Sequence, residues 1–162
     1  MMILGLDPGS RITGYGVIEK ENSRLRFVAC GVVRSSDKYS FPERLKEIYS
    51  GVCEVIARVS PQVMAVEDIY CAVNPRSALK LGHARGVAIL AALQYGLTIQ
   101  EYSPRMVKQA VVGHGQATKE EVQQMVKILL KLSALPGKDP ADALAIALCH
   151  ANQVRLNRLI SS

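Results

Sequence analysis

The sequence contains no tryptophan and only two phenylalanines, and even with six tyrosines the aromatic share of its 162 residues is 5%. Any side chain that stacks on a ring-shaped ligand must come from that short supply. Cys30, Cys53, Cys71 and Cys149 are widely spaced and form no C-x-x-C pair, and His83, His114 and His150 stand alone. A zinc site needs clustered thiolates or imidazoles, so this spacing argues against one. The thiols read instead as reduced and at least partly buried, as in a cytosolic protein. No apolar run approaches the ~18 residues of a membrane span. The opening residues, Met1 to Leu6, carry no basic segment and reach a charge at Asp7, too early for a secretory signal. A cytoplasmic location without membrane contact is expected.

What is present suits a folded enzyme or binding domain. Hydrophobic residues make up 49% of the chain, enough for a substantial core in one domain spanning residues 1–162. The formal net charge is +6 and the pI ≈ 9.3, which favours a polyanionic partner.

Residues 2–7 read as a buried strand ended by the Asp7-Pro8-Gly9 turn. Strands are expected over 14–19 and 26–33, joined by a short polar hairpin. Ser40-Phe41-Pro42-Glu43 matches a capping box, and apolar residues from Leu45 to Val59 then recur at helical spacing until Pro61. Residues 63–67 return to the sheet, and Asn74-Pro75 opens an alanine- and leucine-rich helix to Tyr95. A strand over 97–102, a helix from Pro104 to about Gly113, a helix from Thr118 to about Leu132 and a last helix from Asp139 complete the chain. The expected fold class is α/β, a mixed five-stranded sheet with three antiparallel strands, then parallel ones, flanked by helices.

Four carboxylates stand out in that scheme. Asp7 and Glu67 each end an apolar strand, and Asp139 and Asp142 lie one helical turn apart. Phosphodiester hydrolysis requires converging acids that hold hard divalent ions, and two ions about 3.5–4 Å apart need three or four such acids. Each acid also has an ordinary structural reading: Asp7 as a turn former, Glu67 as a strand-end charge, Asp139 and Asp142 as helix starters. Their shared placement at element ends, where α/β folds put ligand sites, favours chemistry. Arg76 and Lys80 share a helix face, Lys108 lies on the short helix and Lys119 opens the next, positions from which phosphates can be met. Gly5, Gly9, Gly14 and Gly16 match neither common nucleotide-cradle pattern.

Taken together, Gly5-Leu6-Asp7-Pro8-Gly9 with Thr13-Gly14-Tyr15-Gly16, then Val66-Glu67, Ser77-Ala78-Leu79-Lys80-Leu81-Gly82 with Ala84-Arg85-Gly86, and Asp139-Pro140-Ala141-Asp142-Ala143-Leu144-Ala145 resemble the RuvC family of Holliday junction resolvases. The match runs from residue 2 to about residue 155. The resemblance implies an RNase H-like fold and a homodimer that nicks opposing strands of a four-way DNA junction with Mg²⁺ or Mn²⁺, leaving 5′-phosphate ends. It assigns Asp7, Glu67, Asp139 and Asp142 to catalysis and metal binding, with two ions per site. It places Tyr70 where the family usually has a base-stacking phenylalanine, and Lys108 and Lys119 against the DNA backbone. His83 stands where glutamine is commoner. A branch-migration helicase is a further expected partner. The small residues Gly82, Ala84, Gly86, Ala88, Ala91 and Ala92 of the alanine-rich helix suggest the dimer contact.

Three other readings compete. An actin-like ATPase shares the fold and an early Asp-x-Gly turn but needs further phosphate and adenosine segments for which 162 residues leave no room. Another RNase H-like nuclease acting on RNA would carry the same acids. A non-catalytic junction-binding module would not need the full quartet.

Overall fold

A computed structural model describes residues 1–68 and 74–160, with side chains of the last helix described as far as Leu156. Strands β1 (Met2–Asp7), β2 (Ile12–Glu21), β3 (Arg24–Arg34), β4 (Val63–Glu67) and β5 (Thr98–Tyr102) form a sheet of order β3-β2-β1-β4-β5. The pairs β1–β2 and β2–β3 are antiparallel, whereas β1–β4 and β4–β5 are parallel. The helices are α1 (Phe41–Val59), α2 (Pro75–Gln94), α3 (Pro104–Val112), α4 (Lys119–Leu129) and α5 (Lys138–Ile160).

The hairpin strands run longer than the apolar pattern predicts. The ladder continues through Lys20 and Glu21 opposite Leu25 and Arg24, and Asn22 adopts a positive φ of 54° at the turn. Lys20 is buried along its stem, and its amine reaches the Asn22 carbonyl at 2.8 Å, so a charged residue sits in a strand without an exposed head. Helix α4 stops at Leu129, short of the predicted Leu132, because Lys131 enters the left-handed region at φ 52°. Both capping boxes form, Ser40 with Glu43 and Thr118 with Glu121.

Side-chain alternation along the strands divides the core into two layers. Leu4, Leu6, Val17, Met64 and Val66 pack against α1 and α2, whereas Ile3, Ile18, Val63, Ala65 and Tyr102 face α3, α4 and α5. The middle of helix α5 is buried on every side, with each residue from Ala143 to Ala151 inside. One side of it lies on β1 and β2, the other against α3 and α4. Within that layer the Tyr102 hydroxyl meets His150 Nδ1 at 2.7 Å, and burial pushes the imidazole below its ordinary pKa.

Glycine makes this packing possible. Gly5 and Gly16 are paired across the β1–β2 ladder, and Gly14 is paired with Asp7. A Cβ on Gly5 would lie 2.0 Å from the Ala143 carbonyl oxygen, one on Gly16 2.6 Å from the Leu144 nitrogen, and one on Gly14 2.3 Å from the Asp139 carbonyl oxygen. The helix backbone therefore rests on bare sheet backbone, and no side chain can be interposed without displacing it. Gly5→Ala is expected to cost about 3 kcal/mol or more, at the upper end of overpacking effects, because the obstructing atoms are main chain. Urea unfolding of the purified variant measures this; a loss under about 1 kcal/mol would show that α5 can lift off the sheet.

Candidate active site

Parallel pairing of β1 with β4 runs to Leu6 opposite Val66, which brings the next residues, Asp7 and Glu67, side by side on the α5 face. The turn after Asp7 is pinned by Thr13, fully buried, whose hydroxyl donates to the Gly9 carbonyl at 3.2 Å and accepts from its N–H at 3.3 Å. Ser35 Oγ donates to the Ser10 carbonyl at 3.2 Å, and the Arg44 guanidinium donates to the same oxygen. From across the cleft, α5 enters over Gly14 with Asp139 in its first turn and Asp142 one turn on. The helix begins at Lys138, one residue before the expected start at Asp139.

Asp7, Glu67 and Asp142 line one cavity of about 240 Å³ together with Pro104, Val107, Lys108, Lys119 and Val122. Burial pushes the Asp7 carboxyl up to about 7, and Asp142, Glu67 and Asp139 push in the same direction while Lys119 opposes them. Burial and then Asp142 also raise Glu67, against Lys119 and Lys108. Lys119 Nζ donates to Asp142 Oδ2 at 3.1 Å, and this contact holds the ammonium above its ordinary pKa. With Asp142 turned to Lys119, no three carboxylates, imidazoles or thiols among the described residues are gathered closely enough to chelate an ion. The donor set nevertheless suits a hard cation, being all carboxylate oxygen under mutual repulsion that a divalent ion would relieve.

Of the other predicted contacts, Lys108 and Lys119 line the cleft. Arg76 and Lys80 do not line it; Arg76 is exposed in the first turn of α2, and Lys80 Nζ sits 5.6 Å from the Phe41 ring centroid. Tyr70 lies outside the described residues. Arg85 was not singled out from the sequence as a site residue, yet it lines an adjoining cavity with Asp7, Pro8, Glu67, Asp68, Leu81 and Pro104. Its signal was a lone cation between Ala84 and Gly86 in an apolar stretch, a charge the helix must partly bury and therefore partner. A larger groove of about 540 Å³ lies between α3 and α5, but its lining of Met106, Gln109, Ala110, Asn152, Gln153, Arg155 and Leu156 has no carboxylate.

A mixed sheet of this order, with acids at the ends of its adjacent central strands and on an overlying helix, defines an RNase H-like nuclease. Residues 3–150 match the family described as crossover junction endodeoxyribonuclease RuvC. The chain is 51% identical over 162 residues to the RuvC of Citrifermentans bemidjiense, covering 100% of this chain and 99% of that one. It is 52% identical to the RuvC of Geobacter metallireducens with the same coverage. The structure of Thermus thermophilus RuvC in complex with a Holliday junction substrate superposes with a TM-score of 0.91 at 38% identity, covering 97% of this chain and 96% of that one. The chain belongs to the RuvC family. Membership implies dependence on a divalent metal.

The raised Asp7 pKa has a stability consequence of definite sign. Its carboxyl titrates near 7 in the fold against an ordinary 3.8, so the folded state binds this proton more tightly than the unfolded chain. The resulting stabilisation is complete below pH 3.8 and is lost as pH rises to about 7. In EDTA, Asp7→Asn should therefore melt above the parent by a margin that grows from pH 4 to 7 and then levels, at about 2–4 °C per kcal/mol for a chain of this size. Thermal melts across that range check it; a margin independent of pH would contradict it.

Proposed function

We propose that this chain resolves four-way (Holliday) DNA junctions by metal-dependent phosphodiester hydrolysis, making symmetric paired nicks that leave 5′-phosphate ends in recombination and repair. The observation that carries the reading is the convergence of Asp7, Glu67 and Asp142 with Lys108 and Lys119 in one cleft of a RuvC-family fold. Asp7, Glu67, Asp139 and Asp142 are the proposed metal-holding and catalytic residues. Mg²⁺ is the proposed ion, with Mn²⁺ as substitute, and four acids are enough for two ions per site. When bound, such ions supply an activated water and charge neutralisation on the phosphate.

The side chains divide the remaining work. Asp7, at the strand end beneath the helix and more deeply buried than Glu67, anchors the site from the sheet. Asp142 now shares its charge with Lys119; drawn toward a cation, it would free the ammonium to meet a phosphate oxygen. Lys108, across the cleft on α3, offers a second positive charge. Both contacts are sequence-independent and screened by salt. Arg76, Lys80 and Tyr70 extend the proposed DNA contact, Tyr70 by stacking.

The proposed assembly is a two-fold dimer through α2. Ala84, Ala88, Ala91 and Ala92, expected at the contact on size alone, are buried in this chain's own core. The outward stripe is Leu79, Leu90 and Leu93, 66%, 54% and 55% exposed, with Gly82 and Gly86 between them clear of any atom within 4 Å. An apolar stripe with glycines at its centre admits a second helix closely, and a two-fold partner presents identical sites to symmetry-related strands. A branch-migration helicase is the proposed further partner and the cytoplasm the proposed location; among the described residues no helix is long and apolar enough to cross a membrane.

The deciding experiment compares cleavage of a four-way junction, duplex DNA and RNA with Mg²⁺, Mn²⁺, Ca²⁺ or EDTA. Paired nicks in the junction alone are expected with Mg²⁺ or Mn²⁺, little turnover with Ca²⁺ and none in EDTA; RNA cleavage or metal-free nicking would overturn the reading. Asp7→Asn should lower nicking by more than about 100-fold, since removing a ligand exceeds the usual cost of removing its supporting partner. Junction binding should persist or tighten as a negative charge leaves the cleft. Gly86→Arg should convert a sedimenting dimer into an inactive monomer, and a parent that stays monomeric both free and on the junction would refute the paired-incision mechanism.

A further inference from the structure

Arg85 has no place in the chemistry described so far, yet its geometry ties it to one of the four acids. From α2, its Nε donates to the Glu67 backbone carbonyl at 3.1 Å, and a second guanidinium nitrogen pairs with the Glu101 carboxylate on β5. The Arg85 side chain is 15% exposed, against 52% for Glu101, so the contact is inside the molecule on the arginine's side. Strand β4 ends at Glu67, and the neighbouring chain on each side soon loses its donors. Strand β1 runs directly into Pro8, and β5 is separated from Pro104 by Ser103 alone. Neither proline has an N–H to extend the ladder. Just past the end of β4, the Asp68 N–H donates to the Tyr102 carbonyl of β5 at 2.8 Å.

We propose that Arg85 is a positioning residue that fixes the Glu67 carboxylate for metal by clamping the end of β4 to α2 and β5. This rests on the reading of Glu67 as a metal-holding acid. The guanidinium suits the task because its planar fork serves a carbonyl and a carboxylate at once, which a single ammonium cannot do in the same geometry. Its charge is taken up by Glu101, whereas Lys119 and Lys108 are the cations that offset Glu67. Arg85 therefore acts on where Glu67 stands more than on its charge. Its cavity, shared with Asp7, Glu67 and Asp68, lies on the α2 side of the carboxylates, opposite Lys108 and Lys119.

The test measures Mn²⁺ binding to the full-length protein without DNA, the Mg²⁺ dependence of junction nicking, junction affinity in Ca²⁺ and the melting temperature. The variants are Arg85→Met, Arg85→Lys, Glu101→Gln and Glu67→Gln. Arg85→Met should weaken Mn²⁺ binding and raise the Mg²⁺ needed for half-maximal nicking by about 10–100-fold, as loss of an outer partner of a metal ligand does, with junction affinity unchanged. Arg85→Lys should recover part of both, and Glu101→Gln should show a smaller change in the same direction. If Arg85→Met does not fold, those two variants carry the same test. Unaltered Mn²⁺ binding and Mg²⁺ dependence with only a lowered melting temperature would overturn the proposal, as would lost junction affinity with metal binding intact. Glu67→Gln separates the two levels. If it binds Mn²⁺ as the parent does, the reading of Glu67 falls; if it loses Mn²⁺ while the Arg85 variants keep it, only the role of Arg85 falls.

Discussion

The contact on which the rest depends is main chain against main chain, where α5 lies on the glycines of β1 and β2. Gly5 and Gly16 form a bare strip across the ladder, and Gly14 extends it to the end where Asp7 stands. The strip sets the height of the helix above the sheet, and that height sets the reach from Asp139 and Asp142 to Asp7 and Glu67. Ala143 and Ala147, directly over Gly5, continue the close fit from the helix side. Packing and site geometry are therefore one feature. A helix held a side chain higher would still bury its apolar surface, but its acids would lie away from those on the strands.

That closeness gathers negative charge in a poorly hydrated cleft. Asp7 shows the cost most clearly, held near 7 by burial and by three acidic neighbours. Lys119 offsets part of it through Asp142 while remaining 71% exposed, so the relief comes from a mobile surface side chain rather than a buried one. A counter-charge of that kind is exchangeable, which suits a cleft that must accept other cations and a polyanion in turn. A buried arginine in the same place would neutralise the acids more completely and leave them less free to bind metal.

The middle of each element was legible in the sequence, and so was the placement of the four acids at element ends, because apolar runs stop at Asp7 and Glu67 and a helix begins beside Asp139. Strand ends were less legible. Lys20 and Glu21 belong to β2 through ladder pairing, and their polarity hid it. The glycines of β1 and β2 failed the nucleotide-cradle pattern, and their use becomes visible only when the register sets Gly5 against Gly16 beneath a helix from the far end of the chain. The alanines of α2 were misplaced for a related reason. Small residues mark close approach without saying to what, and here they approach α1 and the sheet while the outward stripe is leucine and glycine. Arg85 escaped because its partners, a backbone carbonyl and a carboxylate on β5, lie 18 and 16 residues away in sequence.

The position of α5 in the chain has a consequence for synthesis. The first strand carries Asp7, whereas the helix that completes both the core layer and the acidic cleft begins only at Lys138. Asp7 and Asp142 are 135 residues apart (142 − 7), among the longest-range neighbours the fold contains. A chain emerging from the ribosome can form the β1–β2–β3 meander early, but the strip that receives α5 stays uncovered until the residues from Lys138 onward have been made. The acidic constellation is thus assembled only when α5 docks, in the same event that closes the core. A chain stalled before α5 carries Asp7 and Glu67 without Asp139 and Asp142, so it lacks two of the four proposed acids as well as the helix that covers its sheet.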